Sequence, residues 1–590
     1  MPIHDTSYRS ILNHLARSMI TRSLVSAVLT AAALSTTAAN ATDWSLVDQQ
    51  LEQTIGMPDV GGCMVGAYQN GEVAFARGYG MAVAEHNIPL SADIKMDIGS
   101  ISKQFTTLSA LIAEQHGYIN MQDEIHKYLP ELPEYGADIT LDMLAFHTNG
   151  IYPHFYVADF LRQVEVGVVH EHERLEQLSR FTTLNFPPGE SWAYNNTGFL
   201  LLNIIIERTT GLTLREFSTH YIFKPLGMLD TFYYDNYAEV IPRMATGYSV
   251  LADGSYRKAP RIEDTVGAGG LLTTVNDFAK YQQNFEQPTI GKNPKALMKK
   301  LLQVGTSGDG QPLSNGYGYG MWHGKHQGHY SLSHGGTTEG FHSYYRRYPE
   351  DRFAVLISCN RDDISREEVI NIVTGVRFDQ DHGTISNPAL VEQLATLADQ
   401  FTGLYLNPDA ILPSATVNFD GNSLLISTPL GVYRFVNANT NTANSFTFTS
   451  RDKAPSTGYE FDQITLSQPA PDAQWQLDYS SDLVPRAVLT QQQQYTPTVK
   501  EQKALVGNYQ HRDTGICHRI SLDNGVLMLD PGNGAQSIEL KQESADLWFS
   551  NPAEFVRISK HKGGKVARYS FNQLLMRGIE FHRAKGCHNE

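Results

Sequence analysis

Apolar residues follow two different rhythms along this chain, and the change of rhythm divides it. Cys63–Gln69 and Glu72–Gly78 are strand-like runs flanking Asn70-Gly71, a dipeptide suited to the φ > 0 positions of a two-residue hairpin. Helical spacing then takes over. Phe105, Leu108 and Ile112 recur at three- and four-residue intervals and predict a buried helix that opens at Ser100 and stops at Gly117. The apolar run Phe199–Ile206 predicts another, closed by Gly211. Strand-like runs return at Tyr330–Ser333, Phe341–Arg347 and Phe353–Ser358. Strands at both ends of a unit with helices between predict an α+β arrangement, an antiparallel sheet flanked by helices with a helical subdomain. Asp381-His382-Gly383 and Asn387-Pro388 read as a linker, so this unit occupies residues 42–385.

The last two hundred residues carry short alternating strands punctuated by Gly, Asn, Asp and Pro, the pattern of small antiparallel barrels. They also repeat. Gly403-Leu404-Tyr405 precedes an Asp420-Gly421 turn, and Gly507-Asn508-Tyr509 precedes Asn524-Gly525 at the same offset. Each turn leads into an apolar strand, Leu424–Ile426 and Val526–Leu529. Two β-barrel domains in tandem, 395–490 and 498–590, follow from this, joined through the polar run Gln491–Gln494.

Composition narrows the function. The chain has 590 residues, 41% of them hydrophobic, enough for several packed cores. A net charge of −16 repels phosphate backbones and anionic lipid, which argues against nucleic-acid and membrane-surface partners. Arg17 and Arg22 precede an apolar and small-residue run, Leu24–Leu34, and Ala39-Asn40-Ala41 offers a cleavage site, so residues 1–41 read as a signal peptide. No later segment is long and apolar enough to span a bilayer. The expected location is periplasmic or secreted, where the four cysteines are candidates for disulfides. First and last strands are neighbours in a closed up-and-down barrel. Cys517, placed in the first strand of the last domain, and Cys587, at its end, are therefore expected to pair.

The candidate chemistry begins with Ser-x-x-Lys. This pattern occurs four times, at Ser100, Ser255, Ser450 and Ser559, but only Ser100 opens a buried helix. Three residues on, Lys103 shares its face, about 4.5 Å along the axis. A serine hydroxyl needs a neighbouring base, and a solvated lysine is only about 0.04% neutral at pH 7. Burial at a helix N-terminus, where the dipole disfavours an ammonium, would lower its pKa into a useful range. Pro187-Pro188-Gly189 then leads to Tyr194-Asn195-Asn196, and His334-Gly335-Gly336 follows a strand.

Ser-x-x-Lys, Tyr-x-Asn and His-x-Gly in this order resemble the serine β-lactamase and penicillin-binding-protein superfamily. Leu144–Gly150, Pro225–Met228, Gly269-Gly270-Leu271 and Asn360 are similar to its supporting segments, with Asn149 in place of the usual Ser. The resemblance covers about residues 45–375. It implies an acyl-enzyme on Ser100, Lys103 as base partner, Tyr194 as proton relay, and Asn196 orienting Lys103 and substrate. It further implies His334 in place of the third-motif lysine, with the N–H groups of Ser100 and Thr337, beyond Gly336, as oxyanion hole. Cys63 and Cys359 would lie on adjacent strands of the family sheet and form a second, weaker candidate pair. No metal or cofactor is expected. His-x-Gly and two C-terminal barrels together resemble D-aminopeptidases, which implies release of N-terminal D-residues from small peptides, amides or esters, with the barrels restricting the cleft. An esterase or a D-alanyl-D-alanine carboxypeptidase of the same scaffold, or an inactive sensor, are the alternatives. The barrels would otherwise serve only to stabilise or dimerise the enzyme.

Three further features have blander explanations. His170-Glu171-His172-Glu173 lacks zincin spacing and reads as a solvated helix face. Gly316, Gly318 and Gly320 alternate with tyrosines and suit a strand or loop near the cleft. Trp192 and Tyr317 suit either the cleft wall or the core.

Overall fold

Asn70 and Gly71 turn the chain at φ 55° and 82° and join β1 (Cys63–Gln69) to β2 (Glu72–Tyr79), the hairpin their sequence predicts. In the computed structural model, residues 44–585 are described except 57–58, 162–169, 252, 262, 379–387, 408–413, 420–423, 429–430, 443, 453–462, 471, 481–486, 493–494, 496, 533–536, 545–546, 552–553, 563–564 and 574–575. The 1–41 segment, the Asp420-Gly421 turn and the Asp381–Asn387 linker lie outside the described residues.

Four later strands complete the sheet: β3 (Trp322–His326), β4 (His329–Thr338), β5 (Phe341–Tyr348) and β6 (Phe353–Cys359). The order is β3-β4-β5-β6-β1-β2, antiparallel throughout, so the unit's first strand pairs with its last. β6 is buried along its whole length rather than alternately, because helices Val275–Glu286 and Arg366–Gly375 pack against it. β3 was not foreseen: His323, Gly324, Lys325 and His326 give it no apolar alternation, as suits an edge strand. β4 also runs further than its apolar part, so His334-Gly335-Gly336 lies within the strand, not after it.

The helices carry the rest of the machinery. α1 (Trp44–Ile55) precedes the sheet. α2 (Lys103–His116) ends at Gly117, φ 81°. α3 (His154–Leu161) and α4 (Glu171–Ser179) lead to α5 (Asn196–Thr210), which Asn195 caps and Gly211 closes at φ 71°. Ten residues of α5 from Thr197 to Ile206 are all buried, which is why its sequence is apolar all round.

Two closed eight-stranded barrels follow, the first from β7 (Gly403–Leu406) to β14 (Ala487–Gln491), the second from β15 (Gly507–His511) to β22 (Met576–Ala584). The repeat is physical. A helix precedes each barrel, Pro388–Phe401 and Val499–Leu505. Tyr405 and Tyr509 each donate an O–H to the carbonyl four residues upstream, Phe401 and Leu505, at 2.6 Å in both cases. Each barrel's opening strand is thereby tied to the last turn of its helix.

The weaker of the two expected cysteine pairs is formed. The bridge joins Cys63 and Cys359, directly opposed on β1 and β6 and 296 residues apart. Cys517 opens the second strand of the last barrel (Cys517–Asp523) rather than lying in the first, because Arg512–Thr514 turn the chain after His511. Its expected partner Cys587 lies outside the described residues.

The second barrel docks on the N-terminal α+β unit through aromatic rings. Phe160 of α3 sits 5.8 Å from His511 and 6.1 Å from Phe581, centroid to centroid. Thr182 Oγ1 donates to Asp513 Oδ2 (2.6 Å) and the Arg577 N–H to Asn185 Oδ1 (2.7 Å).

Candidate active site

Ser100 lies in the 3₁₀ turn Gly99–Ser102 that runs directly into α2. Asp97 Oδ1 accepts the Gly99 N–H (2.8 Å) and its Oδ2 pairs with Arg261 (3.1 Å), which fixes the turn before the serine. A methyl group on Gly99 would stand 2.6 Å from Thr337 N, and one on Gly336 only 2.0 Å from Ile98 O. The two glycines therefore let β4 lie against the Ser100 turn and bring Ser100 and Thr337 backbone together.

Lys103 is fully buried. Its Nζ lies 2.7 Å from Asn196 Oδ1, 2.7 Å from Ala268 O and 3.0 Å from Ser100 Oγ. Two of these partners only accept hydrogen bonds. They take both N–H bonds of a neutral amine, leaving its lone pair for the Ser100 O–H. Burial drives the pKa well below that of a solvated lysine, toward that neutral form.

Tyr194 and Asn196 flank the N-cap of α5. Asn195 Oδ1 accepts the Thr197 N–H (2.8 Å), and the Asn195 N–H donates to His147 Nδ1 (3.0 Å). His147 is buried with its backbone at φ 61°, and burial holds its pKa well below the usual value. Its ring packs 4.5 Å from that of Tyr194, which stacks on Trp322 at 6.1 Å and lies 4.8 Å from Lys103 Nζ. Asn149, the departure from the family's Ser, accepts the Ile151 N–H (2.9 Å) in the turn beneath Asn195.

His334 projects from β4, its Nδ1 2.5 Å from Gly335 O and its Nε2 3.3 Å from the Tyr317 hydroxyl. The carbonyl only accepts, so Nδ1 carries the proton and Tyr317 donates to Nε2. Burial first, then the neighbouring Lys103, push its pKa down to about 3. The ring is neutral at physiological pH. Behind it, Arg366 Nη1 donates to Gly336 O (2.9 Å) and Ser343 O (3.0 Å), clamping β4 to β5.

The structure therefore gathers Ser100, Lys103, Tyr194, Asn196, His334, Gly336 and Thr337 at one place. Sequence reasoning missed Ala268, Arg261 and Arg366, and marked His147 only as part of the Leu144–Gly150 segment without a role. Ala268 adjoins Gly269-Gly270, the one signal that marked its loop. The other three Ser-x-x-Lys serines fall outside helices, Ser255 before a short hairpin strand and Ser450 and Ser559 on barrel strands. Gly320 packs against Gln104 of α2 in a cleft-side loop. Trp192 and Tyr317 are buried and, with Tyr194, share one apolar cluster with the core of the first barrel. The His170–Glu173 segment is not a wholly solvated face: Glu171 turns inward, its Oε1 accepting from Asn203 Nδ2 (2.5 Å).

Several known proteins are similar to this chain. The Bacillus subtilis "Penicillin-binding protein 4*" is 24% identical over 411 residues, covering 66% of this chain and 90% of that protein. The Gluconobacter oxydans "D-aminopeptidase" is 25% identical over 350 residues, 59% of this chain and 64% of the relative. The solved octameric penicillin-binding protein homologue from Pyrococcus abyssi superposes with a TM-score of 0.52 at 20% identity, covering 76% of this chain and all of that one, a likeness of fold. The beta-lactamase family pattern matches residues 47–373, more than half of the sequence. This chain belongs to the beta-lactamase family of serine hydrolases.

Proposed function

We propose that the chain is an acyl-enzyme hydrolase that releases N-terminal D-residues from short peptides, amides or esters. The observation that carries the chemistry is Lys103, buried and held by two pure acceptors with its third contact on Ser100 Oγ. Lys103 takes the Ser100 proton as Oγ bonds to the substrate carbonyl. The Ser100 and Thr337 N–H groups hold the oxyanion, a contribution of about 3 kcal/mol per donor by analogy with other hydrolases. Tyr194 passes the proton to the leaving nitrogen or oxygen as its bond to the acyl carbon breaks, and Asn196 orients the substrate amide. Water then attacks the ester; the Lys103–Tyr194 pair takes a proton from it and delivers that proton to Ser100 Oγ as the ester bond breaks, freeing the acid.

Two observations support the aminopeptidase reading over a carboxypeptidase. His334 is uncharged and offers no ammonium for a carboxylate beside the scissile bond. The core of the first barrel runs into the aromatic wall of Trp192, Tyr194 and Tyr317, which suits a cleft shaped for a chain end. A relative named as a D-aminopeptidase adds to this. We further propose export to an oxidising compartment, a reading the Cys63–Cys359 bridge supports. A panel of D- and L-aminoacyl p-nitroanilides, matched esters, D-alanyl-D-alanine peptides and nitrocefin tests the reading. Highest kcat/KM on D-aminoacyl substrates is expected; a preference for the carboxylate-ended peptides would overturn it.

A further inference from the structure

A cleft of about 440 Å³ opens between the start of α4, the middle of α5 and the segment Asp264–Val266. It backs onto the catalytic loop: Val266 lines it, and two residues on, Ala268 holds Lys103. Along α5, Asn203 lies seven residues beyond Asn196, about 10 Å away by helix rise. Four carboxylates line this cleft, and two of them are engaged by neighbouring groups, one by a cation and one by a backbone N–H and a histidine. Asp235 pairs with Arg215 (3.0 Å), and Asp264 accepts the Tyr237 N–H (2.7 Å) and faces His170 (3.6 Å). Glu171 and Glu207 have no cationic partner within ion-pair distance among the described residues, and Arg208 beside them is held by Glu131.

A second observation points to a ligand. Asn203 is 1% exposed and lines the cleft, and its Nδ2 is committed to Glu171. That leaves Oδ1 buried with no hydrogen-bond partner among the described residues, an acceptor whose desolvation nothing offsets. Two carboxylates without countercharge and an orphaned carbonyl make a donor-hungry surface. Among the described residues no three His, Cys, Asp or Glu side chains converge as a metal site would need, so the shape suits an organic cation with several N–H donors.

We propose that this cleft is a binding site for an ammonium or guanidinium group, with Glu171, Glu207 and Asn203 Oδ1 as its acceptors. The cation has two possible sources, a basic side chain or terminus of the substrate, or a free amine. Calorimetry on the full chain carrying Ser100→Ala separates binding from turnover, with n-butylamine and n-butylguanidine as probes and n-pentanol as the neutral control. Saturable binding of the cations alone is expected, weakened at least about fivefold by Glu207→Gln and by Glu171→Gln, as loss of one charged acceptor implies. In the active protein, competitive inhibition by butylguanidine and a higher kcat/KM for lysyl than for norleucyl substrates would identify the substrate as the source. Binding without competition would identify a free amine. No saturable binding below about 10 mM, or binding unaltered in both variants, would overturn the proposal. Turnover of D-aminoacyl amides without cation binding would sink this site alone, whereas binding without such turnover would sink only the proposed function.

Discussion

Tyr152 donates its phenolic O–H to the backbone oxygen of Arg577, 3.1 Å away and 425 residues further along the chain. The carbonyl of the same residue accepts the Thr197 hydroxyl (3.0 Å) in the first turn of α5, next to Asn196. One residue thus touches the second barrel with its side chain and the Tyr-x-Asn turn with its backbone. The barrel is joined to the wall of the catalytic cleft rather than appended to it.

The strength of that junction can be measured at its two kinds of contact. Phe160→Ala removes an aromatic ring packed between α3 and the barrel and should destabilise the protein by about 3 kcal/mol. Tyr152→Phe should cost only about 1 kcal/mol. Chemical denaturation of both variants checks this, with limited proteolysis reporting release of the barrel. Equal and negligible effects would mean that the barrel does not depend on this face.

The neutrality of His334 has a defined pH signature. Its folded pKa of about 3 lies below the unfolded value of 6.5, so between the two the unfolded chain binds a proton that the folded chain refuses. Stability from this group is complete above pH 6.5 and is lost as pH falls toward 3. Urea midpoints from pH 7.5 to 4.5 should therefore fall more steeply for the wild type than for His334→Asn. Parallel curves would contradict a buried neutral imidazole.

Substituting His334→Lys places a second amine beside Lys103. Substrates with a carboxylate next to the scissile bond should gain in kcat/KM relative to neutral amides, on the order of tenfold for one new charged hydrogen bond. The acid limb of the pH profile should also move down, because a nearby cation disfavours protonation of Lys103. An equal response of both substrate classes would reject the role given to His334.

The Cys63–Cys359 bridge closes a loop of nearly three hundred residues. Replacing both cysteines by alanine should lower stability by roughly 2–4 kcal/mol through the unfolded chain, measured by thermal unfolding with and without reductant. Insensitivity of the wild type to reductant under denaturing conditions would show that the bridge is not formed.

What the sequence made legible was local. Ser100 and Lys103 are three residues apart on one continuous helical run, a 3₁₀ turn leading into α2, so spacing alone brought them together; Asn70-Gly71 and the two Gly-x-Tyr strand openings were equally self-contained. What stayed hidden depends on distant chain. Ala268 reaches Lys103 from 165 residues away and contributes only a backbone carbonyl, which no residue type advertises. Arg366 acts through the carbonyls of Gly336 and Ser343, and in sequence it is one more charged residue at a helix start. Glu171 looked solvated because its neighbours His172 and Glu173 are; its burial comes from Asn203 and Val266 in other parts of the chain. Cys517 was misplaced by one strand because the turn at Arg512–Thr514 is short, and Gly515, at φ 74° just after it, is its clearest mark.

In the proposed mechanism Ser100, activated by Lys103, forms the acyl-enzyme. Treating the intact protein with a fluorophosphonate and mapping the adduct by mass spectrometry tests it most directly. A single adduct is expected on the peptide containing Ser100, absent from Ser100→Ala and formed at least about a hundredfold more slowly in Lys103→Met. An adduct on another serine, or labelling at an undiminished rate in Lys103→Met, would contradict it.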